Sequence, residues 1–213
     1  MGFGFALAVG MQILPSLILA TRNAHKTAEI RAMLGGKFEV LDMGAFPECP
    51  EIEETGTTFL ENARLKAEGV SRRVEGWVLS DDSGLEVDAL GGSPGVWSSS
   101  YGGQEGDHVR NNARLLREMQ GICERSARFC CTMVLARGGR ERAHYSGTVE
   151  GRIIETLRGE QGFGYDPLFV PDGYEKTFGE LGEDIKNRLS HRARALAKVV
   201  AFLTGLLDFP DQE

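Results

Sequence analysis

The chain has 213 residues, 41% of them hydrophobic and 26% charged, and a formal net charge of −7. That apolar content is enough for a buried core and excludes a disordered or fibrous chain. The acidic balance excludes a nucleic-acid backbone as partner, because such binding needs a basic surface. A free nucleotide stays open, since a few cations in one cleft can neutralise it whatever the global charge.

Residues 1–19 lack the Lys/Arg-rich start of a signal peptide and carry Gly2, Gly4, Gly10 and Pro15, so neither export nor membrane insertion is expected. Residues 1–10 read as a poorly ordered extension upstream of a start at Met11. Leu17 to Ala20 read as a strand and Thr21 to Asn23 as a turn. A helix follows whose Ile30, Met33 and Leu34 fall at i, i+3, i+4 before Gly35-Gly36 stop it. Phe38 to Leu41 form a short strand, and a loop with Pro47, Pro50 and the acidic run Glu51 to Glu54 comes next. Thr58 and Glu61 stand in capping-box spacing ahead of a helix with Phe59, Ala63, Ala67, Val70 and Val74 as its apolar stripe. Asn62 and Lys66 share one face of that helix.

Trp77 to Ser80 read as a buried strand ending at Asp81-Asp82-Ser83-Gly84, and Gly91 to Gly95 as a tight connection. Asp107 caps a helix carrying Val109, Leu115, Leu116 and Met119. Ala127–Ala136 and Ala143–Val149 pair as a hairpin around Gly138-Gly139. Ser190 caps a last helix with Ala193, Leu196, Val199, Val200, Leu203, Leu206 and Leu207 toward the core. No linker divides the chain, so residues 1–213 are read as one α/β domain with a mixed sheet. Cys49, Cys123, Cys130 and Cys131 show no C-x-x-C spacing, and the adjacent pair points to opposite faces of a strand. Reduced thiols in the cytoplasm are expected, with no zinc site.

Chemistry concentrates in a few segments. Adjacent Asp81 and Asp82 repel unless a cation intervenes, and magnesium suits hard oxygen ligands plus substrate phosphates. The bland alternative is an acidic turn in which the aspartates cap local backbone. Thr21, Arg22, Asn23, Ala24, His25 and Lys26 lie where a strand enters a helix, a junction that binds anions, although Asn23 as a plain N-cap with Lys26 in solvent explains the same residues. No Walker loop occurs. Glu51, Glu53 and Glu54 either complement a helix dipole or present a second metal carboxylate. Lys66 is either solvated or a counterion to the Asp pair. Gly162-Phe163-Gly164-Tyr165-Asp166-Pro167 is an aromatic turn able to stack on a base or simply to pack. Lys186, Ser190, His191 and Arg192 put cations and an imidazole at a helix start.

These segments, in this order, resemble the inosine triphosphate pyrophosphatase family, the Ham1- or RdgB-like house-cleaning nucleotidases. The matching pieces are T-x-N-x-x-K at Thr21 to Lys26, E-E-T-G-x-T-F-x-E-N-A-x-x-K-A from Glu53 to Ala67, D-D-S-G-L-x-V-D-x-L-G-G-x-P-G-V from Asp81 to Val96, G-F-G-Y-D-P at Gly162 to Pro167, and S-H-R at Ser190 to Arg192. The resemblance implies an elongated fold with a long mixed sheet, flanking helices and two lobes around a nucleotide cleft. It also implies a cytoplasmic homodimer that uses Mg2+ to hydrolyse noncanonical purine nucleoside triphosphates (ITP, dITP, XTP) to the monophosphate and pyrophosphate. On that resemblance Asp82 is the catalytic carboxylate and a metal ligand, with Glu54 or Glu51 as the second. Thr21 to Lys26 form the triphosphate loop, Ser83 is a substrate contact, Lys66 is a counterion to the Asp pair or to phosphate, and Phe163, Gly164, Tyr165, Asp166, Lys186, His191 and Arg192 contact the nucleotide.

One departure stands out: where the family commonly reads Y-S-A-R-Y, this chain has Trp97-Ser98-Ser99-Ser100-Tyr101, which removes an arginine at Ser100 and leaves Arg22 as the candidate replacement. A Maf-type pyrophosphatase is the second enzyme reading, against which the S-H-R and F-G-Y-D segments stand. A catalytically silent nucleotide-binding protein is the third reading, and it rests on Ser100.

Overall fold

A computed structural model describes residues 15–208, with the helix assignment alone for 206–208. The expectations for residues 1–10 and for Leu206 and Leu207 lie outside what is described. Six strands form one mixed sheet in the order β2-β1-β3-β4-β5-β6. They are β1 (Ser16–Leu19), β2 (Glu39–Asp42), β3 (Trp77–Val87), β4 (Ser126–Arg137), β5 (Arg140–Ile153) and β6 (Phe169–Pro171). β1 runs parallel to both β2 and β3, whereas β3 to β6 are antiparallel neighbours. The helices are α1 (Ala24–Leu34), α2 (Phe59–Ser71), α3 (His108–Glu118), α4 (Glu183–Leu189) and α5 (His191–Asp208).

Local chemistry accounts for most of these boundaries. Asn23 caps α1 by accepting from the backbone N–H groups of His25 and Lys26, and Gly35 ends the helix in the left-handed region at φ 56°. The capping box of α2 is complete, with Thr58 Oγ1 accepting from Glu61 N at 3.2 Å and Glu61 Oε2 accepting from Thr58 N at 3.2 Å. Asp107 caps α3 through Arg110 N, and Ser190 Oγ accepts from Ala193 N at the start of α5.

Three expectations are corrected. β3 does not stop at Ser80: it pairs with β4 from Val78 to Val87, so Asp81 and Asp82 lie in mid-strand and not in a turn. Val109, on the first turn of α3, is 80% exposed, while Leu115 and Met119 of the same segment are buried. Lys186 belongs to the separate short helix α4, because Ser190 adopts an extended conformation between α4 and α5.

The sheet has two covered faces. Along β3 the odd positions Leu79, Asp81 and Ser83 face α1 and α5, where Leu79 packs with Ile30, Leu34, Leu196 and Val199. The even positions face α2: Val78 packs with Val70, and the Ser80 hydroxyl donates to the Ala63 carbonyl. Each fully buried aliphatic side chain in these layers contributes about 1.5–3 kcal/mol.

At Gly84 the backbones of two segments meet, and a Cβ there would collide with the Gly95 carbonyl oxygen and with Ser98 Oγ. Gly84→Ala is therefore expected to cost about 1–3 kcal/mol. In urea denaturation its midpoint falls with little change in slope; an unshifted midpoint contradicts the close approach.

Candidate active site

Strand alternation sends the two aspartates into different surroundings. Asp81 is buried on the α1/α5 side. Its Oδ2 accepts from Arg192 Nε at 3.1 Å and Nη2 at 3.0 Å, and Lys26 Nζ lies 3.1 Å from Oδ1, off the angle for a hydrogen bond. Burial alone would raise the Asp81 pKa, but the charges of Lys26 and Arg192, followed by Lys66, reverse this and hold it well below the carboxylate range.

Glu29, on α1 one turn after Lys26, extends this network. Its two oxygens take Lys186 Nζ at 2.6 Å and Arg192 Nη1 at 2.5 Å, and Lys186 also reaches Asp166 Oδ2 at 2.6 Å. Three carboxylates (Asp81, Glu29, Asp166) thus face three cations (Lys26, Lys186, Arg192), and the formal charges balance. Burial of this kind is tolerated only when every charge is paired.

Asp82 points the other way, toward α2. Asn62 Nδ2 lies 3.3 Å from its Oδ2, and Lys66 Nζ lies 3.4 Å from Oδ1 while holding Glu54 at 2.8 Å. Here two carboxylates share one ammonium, which leaves a net negative charge. Burial pushes the Asp82 pKa up to about 6; Lys66 and Lys26 pull against it, while Glu54 and Asp81 add to it. Lys66 is thus ion-paired with Asp82 and Glu54 and largely withdrawn from solvent.

A cavity of about 750 Å³ opens between these clusters, within the size range of small-molecule sites. All of the predicted site residues line it except Ala24 and His25. Glu51 and Glu54 lie on its wall together with Glu53, and Asn62, Ser98, His108 and Phe129 are lining residues to which the sequence reading gave no role in the site. Arg22 is committed elsewhere, donating to the Met43 and Cys49 carbonyls at 3.2 and 2.8 Å, so it fastens the neighbouring loop and is a poor replacement for an arginine at position 100.

The aromatic turn divides its two rings. Tyr165 is buried and donates its hydroxyl to Ser98 O at 3.0 Å, which is packing and not a stacking platform. Phe163 is half-buried on the cavity wall, with Lys186 Nζ 4.8 Å and Arg192 Cζ 5.8 Å from its ring centre. His191 is buried, its ring stacked on Phe129 at 4.9 Å and its Nδ1 without a hydrogen-bond partner. Burial, aided by Arg192 and Lys186, holds its pKa well below 6.5, so the imidazole is neutral at pH 7. Glu29 is the member of the buried charge network that sequence reasoning missed. Its one local signal is the i, i+3 spacing from Lys26, and its partners lie 157 and 163 residues away.

The raised pKa of Asp82 has a measurable consequence for the metal-free protein. Between about pH 4, where an unfolded aspartate titrates, and pH 6, the folded state keeps a proton that the unfolded chain has released, so this group's contribution makes stability fall as pH rises. Asp82→Asn removes the titration. In denaturant titrations with EDTA, its stability relative to the unsubstituted protein should grow from pH 4 to pH 7; a pH-independent difference contradicts the assignment.

The Ham1 family model matches residues 17–202. A dITP/XTP pyrophosphatase of Geobacillus kaustophilus is 48% identical over 186 residues, covering 86% of this chain and 91% of the relative. One from Bacillus licheniformis is 46% identical over 190 residues, covering 88% and 97%. Among solved structures, a Ham1 protein of Staphylococcus aureus superposes with a TM-score of 0.80 at 35% identity, covering 89% of this chain and 98% of that one. A HAM1 protein of Coxiella burnetii gives 0.82 at 35% identity, covering 90% and 100%. With a sequence and a fold that agree over this span, the chain belongs to the Ham1 family.

Proposed function

We propose that this protein is a nucleoside-triphosphate pyrophosphatase that hydrolyses noncanonical purine triphosphates, ITP, dITP and XTP, to the monophosphate and pyrophosphate. The observation that carries this reading is the charge asymmetry across β3: a neutral, rigid network on one side and an under-neutralised Asp82–Glu54–Lys66 cluster on the cavity wall. The names of the relatives agree with it.

The residues fit a magnesium ion. Among the described residues no three His, Cys, Asp or Glu side chains converge as a self-sufficient metal cage. Magnesium does not need one, since it is usually held by one or two carboxylates with waters and substrate phosphates. Asp82 would hold it, with Glu54 as partner in preference to Glu51, because Glu54 already shares Lys66 with Asp82. The bound ion would neutralise phosphate charge.

The remaining work falls to side chains. Lys26 and Lys66, each part-buried on the cavity wall, meet the charge of the phosphate chain. Asp82, in its ionised form, takes the proton of the attacking water. The water oxygen bonds to the α-phosphorus, the α–β bridging bond breaks, and pyrophosphate leaves. Lys186 and Arg192 act mainly by holding the wall, their donors being committed to Glu29, Asp81 and Asp166.

Base choice follows from a donor facing a 6-oxo group. Phe163 N is already given to Asp166 Oδ2 at 2.8 Å and the Arg192 nitrogens are engaged, which leaves the ring of His191, a residue of the cavity lining, as the available group. Adenine presents a 6-amino donor there, and a site built for an acceptor rejects it strongly.

With magnesium, the purified protein should release pyrophosphate from ITP, dITP and XTP with a kcat/KM well above that for ATP, and EDTA should stop the reaction. Asp82→Asn should lower kcat by about 10²- to 10⁴-fold in the folded protein. Equal rates on ITP and ATP, or near-normal turnover in that variant, contradict the reading. Binding of ITP without hydrolysis favours the silent-binder alternative, and preference for a modified pyrimidine favours the Maf type.

A further inference from the structure

We propose that His25 is a positioning residue for the base: it backs the Phe163 ring from outside the cavity and thereby couples the phosphate-end loop to the base-end wall. This rests on the nucleotide reading above and deepens it.

The Phe163 backbone is tied on both sides. Its N–H donates to Asp166 Oδ2 at 2.8 Å, and the carbonyl of the next residue, Gly164, accepts from Asn112 Nδ2 at 3.0 Å. The flanking Gly162 and Gly164 have φ of 75° and 66°, which shape the turn but place nothing against the ring. The ring meets Lys186 and Arg192, His108 at 6.1 Å and 46°, and His25 at 5.4 Å and 20°. Of these neighbours, Lys186, Arg192 and His108 line the cavity with Phe163, and His25 does not. It is also the near-parallel stacking partner, so it restrains the tilt of the ring without occupying substrate space.

His25 is itself fixed by the phosphate-end loop. Asn23 Oδ1 accepts from His25 N at 3.0 Å and from Lys26 N at 3.2 Å, so one cap positions both the lysine that faces Asp81 and the imidazole that faces Phe163. A stacked aromatic pair contributes enough that its loss corresponds to about a 2- to 10-fold change in an equilibrium constant. That loss should fall on ligands that carry a base and spare those that do not.

The test is steady-state kinetics of His25→Ala and His25→Phe, with inorganic tripolyphosphate as a base-free competitor. His25 is exposed, so both variants are expected to fold, with the melting temperature of His25→Ala lowered by no more than about 5 °C. His25→Ala should raise KM for ITP about 2- to 10-fold with kcat and the inhibition constant of tripolyphosphate unmoved, and His25→Phe should restore KM. An unchanged KM in His25→Ala overturns the inference while leaving the pyrophosphatase reading intact. Weaker tripolyphosphate inhibition in step with KM overturns it in favour of a direct phosphate contact, and failure of His25→Phe to restore KM removes the ring from the account. An unsubstituted protein that releases no pyrophosphate from ITP overturns the pyrophosphatase reading and this inference with it.

Discussion

The alternation of side chains along β3 is the constraint on which the site depends. Two adjacent carboxylates in a turn would share one environment and repel. In a strand that pairs with β4 through both positions they point to opposite faces, and each is answered by a different helix layer. Asp81 is matched from α1 and α5 by Lys26 and Arg192, and Asp82 is met from α2 by Asn62 and by a lysine that it shares with Glu54. The same backbone therefore produces one carboxylate locked in its charged form and, next to it, one whose charge is expensive. A catalytic acid–base group needs the second kind of environment, and the first kind holds it in place.

The balanced network explains why cations that look like phosphate ligands in a sequence are buried in the structure. Arg192 is 1% exposed and Lys186 is 4% exposed, and between them they take Asp81, Glu29 and Asp166. Removing one member would leave an uncompensated charge in a low-dielectric interior, which is costlier than the net worth of the pair. This ties α1, α4, α5, β3 and the aromatic turn into one unit. Their relative placement is set by charge matching as much as by apolar packing. Lys26 and Lys66, on opposite sides of β3, are paired as well but stay part-exposed on the cavity wall.

Features governed by neighbours in sequence were legible from the sequence. The capping box of α2, the Gly35 stop of α1, the Asp107 cap and the β4–β5 hairpin each depend on residues within a few positions of one another. The length of β3 was not legible, because its central residues Ser80 to Gly84 are polar or lack a side chain and carry no apolar alternation. All but the half-buried Ser83 are buried, because partners on α1, α2, α5 and the Pro94–Ser98 turn satisfy them. The role of Glu29 was not legible either, since nothing nearby in sequence announces Lys186 or Arg192. Val109 sits at an apolar position by count yet faces solvent, because the first turn of α3 is rotated so that Asn111, Asn112 and Leu115 point inward.

The loop that lacks the family's arginine shows how a charge can be lost without loss of shape. Ser98, Ser99 and Ser100 all line the cavity, and the path of the loop is set by bonds that leave the side chain at position 100 unused. Ser98 Oγ accepts from Leu85 N at 2.9 Å and donates to Gly95 O at 2.6 Å, and Asn111 Nδ2 donates to Ser99 O at 2.9 Å. Tyr165 closes the frame through Ser98 O. An arginine at position 100 would add charge to a wall whose geometry is already fixed by α3, β3 and the aromatic turn. On the proposed function, its absence bears on how much phosphate charge the protein itself neutralises, and would shift that burden toward Lys26, Lys66 and a bound metal.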